Sequence, residues 1–372
     1  MTRAVSSSHM KRILIVGGGF VGLRAARLLA KKADVTLVSM TSNFTFTPWL
    51  VDLLAGDLKL KDITADLGEI AKRDGFKFIK GKATRIDRDQ KKAEVETSKG
   101  SMVIDFDAVA LCQGASTNFF NIPGAEEYTH QIKTPEHVEA LKVKLASING
   151  PVSVCVVGAG PTGVETAFAI LDHFGQTKRT GKLMILQAAP TILPGFSNRL
   201  IDNARRHLTN AGVSIMEGDP ATAVDATGVT LKSGKRVECQ VIVWAGGIKP
   251  NMVEIAPTLP SDKSGCISVD RSLEASHETF AAGDACAIVE PETPTPKTAQ
   301  AAMEMAPMLA KNVMRELENQ PLQPFVYHSK GVILTAGHTA MLEEGKISLS
   351  SPIFNLARYI LYRFRFWQMT GR

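Results

Sequence analysis

The segment Gly17-Gly18-Gly19-Phe20-Val21-Gly22 decides the fold, because it follows the apolar run Ile13-Leu14-Ile15-Val16 and precedes a helix-like stretch. An apolar strand, a G-x-G-x-x-G turn and a helix form the first part of a dinucleotide-binding fold. The first glycine permits the tight turn, the second lets the backbone approach a pyrophosphate, and the third lets helix pack on strand. Gly17, Gly19 and Gly22 are therefore predicted to bind a cofactor.

The same pattern occurs a second time, in Gly158-Ala159-Gly160-Pro161-Thr162-Gly163 after the apolar run Val154-Cys155-Val156-Val157. Either motif alone is weak evidence, since glycine-rich turns also occur for purely structural reasons. Together with the downstream strand and turn Phe280-Ala281-Ala282-Gly283-Asp284, the pair indicates a chain that holds two dinucleotides. Gly158, Gly160 and Gly163 are predicted to bind the second one.

Length and composition set outer limits on the protein. A chain of 372 residues with 44% hydrophobic residues suits two or three packed domains. The net charge of +6 permits an anionic membrane surface or nucleic acid as a partner without requiring either. No charge-free apolar run reaches the ~18 residues of a membrane span. The five scattered cysteines predict reduced thiols, and the histidines show no metal-binding spacing, so no metal site is expected.

The order of the segments predicts one domain inserted into another. A strand over Asp105 to Leu111 leads to Gly114, and a late strand over Gln240 to Trp244 leads to Ala245-Gly246-Gly247. The strand before Asp284 follows the second fold and is expected to return to the first sheet. We predict an α/β protein with two Rossmann-like dinucleotide-binding domains, the second inserted in the first, plus a C-terminal membrane-associating segment. The predicted limits are 10–125 and 275–320 for the first domain, 126–274 for the second and 321–372 for the C-terminal segment; residues 1–9, polar and without pattern, are left aside.

The chain resembles the two-dinucleotide-binding flavoproteins, and among them it is most similar to the type II NADH:quinone oxidoreductases. The resemblance extends over nearly the whole chain from Lys11. Besides the glycines, it rests on these segments: Asn43 to Leu50, Thr162 to Glu165, Val241 to Pro250, Asp284, and Ala299 to Ala302, which begins like the quinone-side motif A-Q-x-A-x-Q.

This resemblance implies an enzyme that transfers a hydride from NADH or NADPH to FAD and then two electrons to a quinone. Glu165, Gln300 and Glu304 are the implied catalytic residues, with Glu165 near the junction of nicotinamide and flavin. Glu165 and Gln300 are also read as ordinary polar residues in the first turn of a helix. The implied cofactor-binding residues are Gly17, Gly19, Gly22, Ser39, Pro48, Gly114 and Asp284 for FAD, and Gly158, Gly160, Gly163, Gln187 and Gly246 for NAD(P)H.

Three positions depart from the family pattern. Glu304 stands where the quinone-side motif has its last glutamine. Ser39 and Gln187 end the second strand of each fold, where an acidic residue usually binds a ribose hydroxyl. Gln187 can bind the ribose diol of NADH without repelling the 2′-phosphate of NADPH, so the choice of coenzyme stays open.

The C-terminal residues predict an amphipathic helix. Arg358 and Arg365 lie opposite an apolar face, and no acidic residue occurs from Ser351 onward. Such a helix is typical of peripheral binding in the headgroup plane, here on the cytoplasm-facing side of an inner or organelle membrane. Arg358 and Arg365 are then expected to stay with anionic lipid headgroups. The other interpretation is a helix packed on the protein body or on a second copy, and a homodimer is left open. The apolar face consists of Ile353, Leu356, Ala357, Ile360, Phe364 and Trp367.

Three alternative functions remain open at this stage. One is a sulfide:quinone oxidoreductase, with Cys112 or Cys286 beside the flavin. Another is a soluble NAD(P)H-dependent reductase of a small electron carrier. The third is a basic NADH-binding effector that resembles the apoptosis-inducing-factor branch. No nucleic-acid partner is expected, because the basic residues are scattered rather than arranged in a stripe with aromatic residues.

Overall fold

The computed structural model describes residues 10–290, 295–345 and 347–372, so residues 1–9 lie outside the described part. The chain divides into two compact units. Unit 1 contains the described residues up to Phe44, Ala65–Ser116 and Lys249–His328, and unit 2 contains Thr45–Thr64, Thr117–Ile248 and Ser329–Arg372. The domain limits given above stay a prediction.

The described residues form ten α-helices and two short 3₁₀ turns. Short 3₁₀ turns occupy Thr47–Trp49 and Gly283–Ala285. The α-helices are α1 Phe20–Leu29, α2 Leu50–Ala55, α3 Leu60–Ile63, α4 Leu67–Asp74, α5 Ala125–Tyr128, α6 Pro135–Ser147, α7 Pro161–Thr177, α8 Asn198–Asn210, α9 Ala299–Leu317 and α10 Pro352–Thr370.

The strands are mostly short. In chain order they are β1 Arg12–Val16, β2 Asp34–Ser39, β3 Asn43–Thr45, β4 Thr64–Asp66, β5 Lys77–Lys80, β6 Lys82–Asp87, β7 Lys92–Thr97, β8 Gly100–Asp105, β9 Ala108–Leu111, β10 Ala115–Thr117, β11 His130–Gln131, β12 Val152–Val157, β13 Gly181–Gln187, β14 Ser214–Glu217, β15 Ala221–Asp225, β16 Gly228–Leu231, β17 Arg236–Glu238, β18 Val241–Trp244, β19 Ile248–Pro250, β20 Glu254–Ala256, β21 Ile267–Val269, β22 Glu274–Ser276, β23 Thr279–Ala281, β24 Cys286–Ile288, β25 Val332–Ala336, β26 Thr339–Glu344 and β27 Ile347–Ser351.

The main sheet of unit 1 has the order β22-β23-β9-β1-β2-β5. Its strands β23, β9, β1, β2 and β5 are parallel, and β9 is fully buried, which explains its uninterrupted apolar sequence. Strand order reverses between β1 and β9, where α/β sheets bind their ligands. Strand β23 pairs with β9, which confirms that the Phe280 segment returns to the first sheet. Helix α9 packs against α1.

Unit 2 repeats this plan with a parallel sheet of order β11-β18-β12-β13-β14. Here the strand order reverses between β12 and β18, so the second glycine motif and the loop after β18 lie at the switch point. Unit 2 also contains the antiparallel sheets β15-β16-β17 and β25-β26-β27. Helix α2 packs on α7, α7 packs on β25, and α10 packs on β26.

The predicted fold class is confirmed: the chain is an α/β protein with two dinucleotide-binding folds, the second inserted in the first. The C-terminal helix is present as α10. Among the described residues, no helix combines the length and the apolar character needed to cross a membrane.

Candidate functional site

The turn after β1 is a backbone cradle formed by Gly17, Gly19 and Gly22. Gly17 has a φ of +109°, and a Cβ there would lie 2.8 Å from the Cα of Gln113 in the loop after β9. A Cβ on Gly22 would overlap the carbonyl oxygen of Gly17. At Gly19, no described heavy atom beyond its chain neighbours lies within 4 Å of the place a Cβ would take. The turn is therefore crowded at its ends and open at its middle glycine.

Helix α1 begins at this open position, because Gly19 is its N-cap. Glycine has no side chain that could accept hydrogen bonds from the N–H groups of the first turn. Helix α4 shows the usual arrangement, in which the N-cap Asp66 accepts a 2.8 Å bond from the N–H of Glu69. The start of α1 thus presents backbone donors and the positive end of the helix dipole to an anion.

Unit 2 contains a second cradle with the same geometry. Gly158 has a φ of +102°, and a Cβ there would lie 2.8 Å from the Cα of Gly246 in the loop after β18. A Cβ on Gly163 would overlap the carbonyl oxygen of Gly158. Gly160 is the N-cap of α7, and beyond its chain neighbours its Cβ position has no described heavy atom within 4 Å. Gly246 therefore forms the wall of the second cradle, as Gln113 does in the first.

Gln187, at the end of β13, holds the second cradle in shape. Its side-chain oxygen accepts a 2.9 Å hydrogen bond from the N–H of Ala159, and its amide nitrogen donates to the carbonyl oxygen of Thr191 at 3.3 Å. The residue is 7% exposed. A carboxylate at this position could keep the first bond but not the second, because it has no N–H group.

Ser39 and Gly114 border the first cradle within unit 1. Ser39 ends β2 and is buried, and a Cβ on Gly18 would lie 2.9 Å from its hydroxyl oxygen. Gly114 follows β9 with a φ of +65° and open space where a Cβ would point. Ser39 and Gly114, both predicted to bind FAD, thus lie beside the first glycine turn at the switch point of this sheet.

Asp284 lies in the 3₁₀ turn after β23 and lines a cavity of about 210 Å³. Lys297 and Thr298, just before α9, and Ala301 in its first turn line the same cavity. The neighbouring N–H of Gly283 donates to the sulfur of Met305 at 3.1 Å, which ties the turn to α9.

Gln300 and Glu304 lie one turn apart on α9 and so share a face of this helix. The Nε2 atom of Gln300 is buried and has no hydrogen-bond partner among the described residues. Both amide atoms of Gln113, beside the first cradle, are in the same situation within the described chain. Buried donors and acceptors are nearly always paired in proteins, so these amides point to a polar ligand in unit 1.

Glu165 lies just beyond the first turn of α7, so the interpretation that places it in that turn is wrong. Thr335 of β25 holds its carboxyl group. Its Oε1 atom accepts hydrogen bonds from the N–H of Thr335 at 2.9 Å and from the hydroxyl at 3.1 Å. Burial raises the pKa of Glu165 to about 7, and the Thr335 bonds and the positive charge of Arg358 oppose this rise. A carboxyl group with a pKa near neutrality can both hold and release a proton at physiological pH.

The turn that carries Pro48 is anchored by the C-terminal helix. Its last residue, Trp49, is fully buried. The indole centroid lies 4.8 Å from the ring of Phe46, 5.7 Å from that of Phe366 and 6.0 Å from that of Tyr359. Because Phe366 and Tyr359 belong to α10, this helix fixes the position of the Pro48 turn in unit 2.

Arg358 faces the protein and not a membrane, so the prediction that it stays with lipid headgroups is wrong. It is 2% exposed, and its Nη1 donates to Oδ2 of Asp52 at 3.0 Å while Nη2 binds the other carboxylate oxygen. Its Nε donates to the side-chain oxygen of Asn355 at 3.2 Å, and its guanidinium lies 5.2 Å from the ring centre of Tyr362. A helical wheel separates the two faces of a helix but does not show which one meets the protein.

The apolar face of α10 is exposed. Arg365, which was also placed opposite this face, donates to the side-chain oxygen of Gln368 at 3.0 Å. The large apolar residues of the face have exposed fractions between 50% and 71%: Ile353, Leu356, Ile360, Phe364 and Trp367. The helix therefore uses its polar and aromatic side for packing and presents an apolar side outward, the reverse of an ordinary surface helix.

Comparison with known proteins identifies the family. Residues 11–306 match the family model described as pyridine nucleotide-disulphide oxidoreductase. The type II NADH:quinone oxidoreductase of Staphylococcus saprophyticus is 30% identical over 357 residues, which cover 88% of each chain. The chain belongs to the type II NADH:quinone oxidoreductase family. A member from Staphylococcus aureus is 28% identical over 88% of each chain.

Two solved structures of this family's wider fold group show the same fold. The structure of NDH2 from Plasmodium falciparum in complex with NADH has a TM-score of 0.84 at 19% identity, covering 97% of this chain and 98% of that one. The sulfide:quinone oxidoreductase from Aquifex aeolicus has a TM-score of 0.81 at 19% identity, covering 97% and 92%. At these identities the likeness concerns the fold alone.

The thiols of this family member are free and buried. Burial raises the pKa of Cys286 to about 12 and that of Cys112 further still. Both side chains are therefore protonated at neutral pH, and a protonated thiol is a poor nucleophile.

Sequence reasoning missed Asp52, Thr335 and Tyr362 near Glu165, and it gave Arg358 a different role. Of these, only Asp52 could have been noticed in the sequence, because it lies within the apolar run of Leu50, Val51, Leu53 and Leu54. An aspartate that is buried with such a run needs a charged or hydrogen-bonding partner. Nothing in the sequence links it to a residue 306 positions away.

Glu165→Gln tests the raised pKa through stability. The folded-state pKa of about 7 exceeds the usual 4.5, so the neutral form is stabilised by folding. This stabilisation is fully present below the unfolded pKa and is lost as pH rises through the folded one. Between about pH 5 and about pH 8, the parent should lose about 2–3 kcal/mol of unfolding free energy relative to the variant. Urea unfolding at a series of pH values measures this difference.

The control for this measurement is Glu126→Gln, at an exposed glutamate of α5. Its unfolding free energy should follow the parent at every pH. If Glu165→Gln also runs parallel to the parent across the whole range, the carboxyl group titrates as an ordinary exposed one and the enclosed site is wrong.

Proposed function

We propose that this protein is a peripheral membrane flavoenzyme that takes a hydride from NADH or NADPH onto FAD and passes two electrons to a quinone. The observation that carries the proposal is the pair of cradles with matching geometry, each open at its middle glycine and each followed by a helix capped by that glycine. Two such sites in one chain suit two dinucleotides. The names of the relatives support NADH and quinone as the substrates.

The residues of unit 1 fit FAD. Gly19 leaves room for a pyrophosphate, and the buried amides of Gln113 and Gln300, without partners among the described residues, suit polar groups of a flavin nucleotide. Asp284 lines the neighbouring cavity and could accept from ribityl hydroxyls. A bound flavin accepts a hydride and can release electrons in pairs or singly, while the protein supplies binding and orientation.

The proton balance of the reaction gives Glu165 a role. Reduction of a quinone by NADH consumes one further proton, which must come from solvent through the protein. Glu165 can take up this proton because its pKa lies near 7. We assign Gln300 and Glu304 to the quinone side, where the carboxyl group of Glu304 replaces the neutral amide of the family motif.

Substitution of the middle glycines separates the two sites. Gly19 and Gly160 have extended backbone angles that any residue adopts, and their Cβ positions are open. Gly19→Val should therefore fold but lose flavin, because the side chain occupies the path of the pyrophosphate. Gly160→Val should keep its flavin and yellow colour but show at least a ~10-fold weaker affinity for NADH. Absorbance of the purified proteins and NADH titration of flavin reduction measure both effects.

Two outcomes would contradict this assignment. One is a parent protein that is colourless and does not take up FAD. The other is loss of flavin from Gly160→Val with none from Gly19→Val, which would reverse the roles of the two units.

Coenzyme choice depends on Gln187. Because a neutral amide does not repel the 2′-phosphate, the kcat/KM values for NADH and NADPH should differ by less than about 100-fold. Gln187→Glu should shift the preference toward NADH, and Gln187→Ala, which removes the amide without adding charge, is the control. Steady-state kinetics that show strict use of NADH by the parent would refute this argument.

The exposed face of α10 supports membrane binding, since apolar side chains next to basic ones suit the boundary between acyl chains and headgroups. The triple substitution Ile353→Gln, Leu356→Gln and Ile360→Gln should release the protein from anionic liposomes and lower activity with long-chain quinones. Activity with a short water-soluble quinone should stay within about two-fold, because the packed side of the helix is unchanged. Co-sedimentation and turnover assays measure these effects.

Val143→Gln is the matched control, because Val143 is 68% exposed on α6. It should leave liposome binding as in the parent. Equal sedimentation of the triple variant and the parent would show that this face of α10 does not bind the membrane.

A sulfide:quinone oxidoreductase shares the fold, but sulfide oxidation needs a reactive thiol. The raised pKa values of Cys112 and Cys286 favour the NAD(P)H:quinone reaction over this second candidate.

A further inference from the structure

Glu165 is enclosed by charged and polar groups from several elements of unit 2. Thr335 of β25 donates two hydrogen bonds to its carboxyl group. Asp52 of α2, and Arg358 and Tyr362 of α10, act on it electrostatically. Helix α7 itself also carries Asp172. The charges of His338, Asp57 and Asp52 act on this aspartate.

Thr335 lies between Glu165 and the buried ion pair of Arg358 and Asp52. Besides its two bonds to the carboxyl group, Thr335 lines a small polar cavity together with Asp52, Asp172 and Arg358. This cavity measures about 20 Å³, a volume that holds about one water molecule. Through Thr335, the carboxyl group of Glu165 is therefore linked to the cavity that Asp52 and Arg358 line.

The two charges of the ion pair act on Glu165 with opposite signs. The guanidinium of Arg358 favours the ionised carboxylate and lowers its pKa, and the carboxylate of Asp52 disfavours the ionised form and raises the pKa. Because Arg358 and Asp52 are 2% and 8% exposed, solvent screens these charges little. With both charges present, their effects on Glu165 largely oppose one another.

We propose that Arg358 and Asp52 are positioning residues for Glu165, which set the charge state of this glutamate by presenting one cation and one anion to it from α10 and α2. The inference rests on the proposed function, in which Glu165 supplies a proton during turnover. It assigns the C-terminal helix a part in the chemistry in addition to any contact with a membrane.

Single-charge substitutions test the proposal, since a structural role and an electrostatic role predict different results. Asp52→Asn removes the anion and keeps the cation, so the pH midpoint for titration of Glu165 should move down by about one unit. Arg358→Gln removes the cation and keeps the anion, so this midpoint should move up by a similar amount. Arg358→Lys and the double substitution Asp52→Asn with Arg358→Gln should both keep the midpoint near that of the parent.

The midpoint is measured in two ways on flavin-loaded protein. The first is the pH profile of turnover with NADH and a short water-soluble quinone. The second is the pH dependence of the unfolding free energy. For the parent and for each variant, the value for the same protein carrying Glu165→Gln is subtracted at every pH. The second measurement needs no turnover. A protein that shows the midpoint shifts by stability but does not reduce quinones would contradict the proposed function and leave the inference supported.

Opposite shifts for the two single substitutions support the inference. If both variants lose stability and activity while their midpoints stay at the parental value, the pair only holds the fold and the proposal is overturned. Should Arg358→Gln fail to fold, Asp52→Asn and Arg358→Lys decide the question, because an unchanged midpoint in Asp52→Asn also overturns it.

Discussion

Both nucleotide-binding folds depend on one constraint, the close approach of backbone to backbone at the switch point of each sheet. Gly22 and Gly163 lie so near the carbonyl oxygens of Gly17 and Gly158 that any side chain would overlap them. The same crowding directs the open middle glycine and the first helical N–H groups toward the space above the sheet. Binding of a pyrophosphate is thus a consequence of how strand, turn and helix must pack.

The buried pair of Arg358 and Asp52 is a second constraint, with a different energetic character. Two desolvated charges gain little net stability from each other, but removal of one partner typically costs about 3–5 kcal/mol. The pair therefore adds little to total stability while it joins α10 to α2. Leu356 and Ile360 are each two residues from Arg358, about half a turn round the helix, so they point outward once Arg358 is directed inward.

Helix α10 consequently has two distinct sides. The inward side brings Tyr359 and Phe366 against Trp49 and so fixes the turn that carries Pro48. The outward side exposes a row of large apolar residues, which a soluble surface seldom does without a partner. One helix can in this way connect the proposed membrane surface with the residues around Glu165.

The sequence by itself determined the two nucleotide folds, the insertion of the second in the first, and the family, because glycine spacing and apolar runs are local patterns that steric rules interpret directly. It also named Glu165 and Gln300, through the resemblance. Only the tertiary structure decided that Arg358 is buried against Asp52, that Gln187 bonds to Ala159 and Thr191, and that the backbone of Gln113 lies at the first cradle. Most of these contacts join residues far apart in the chain, and the short one between Gln187 and Thr191 depends on the loop conformation after β13. A helical wheel or a motif carries no information about which distant side chain will compensate a buried charge.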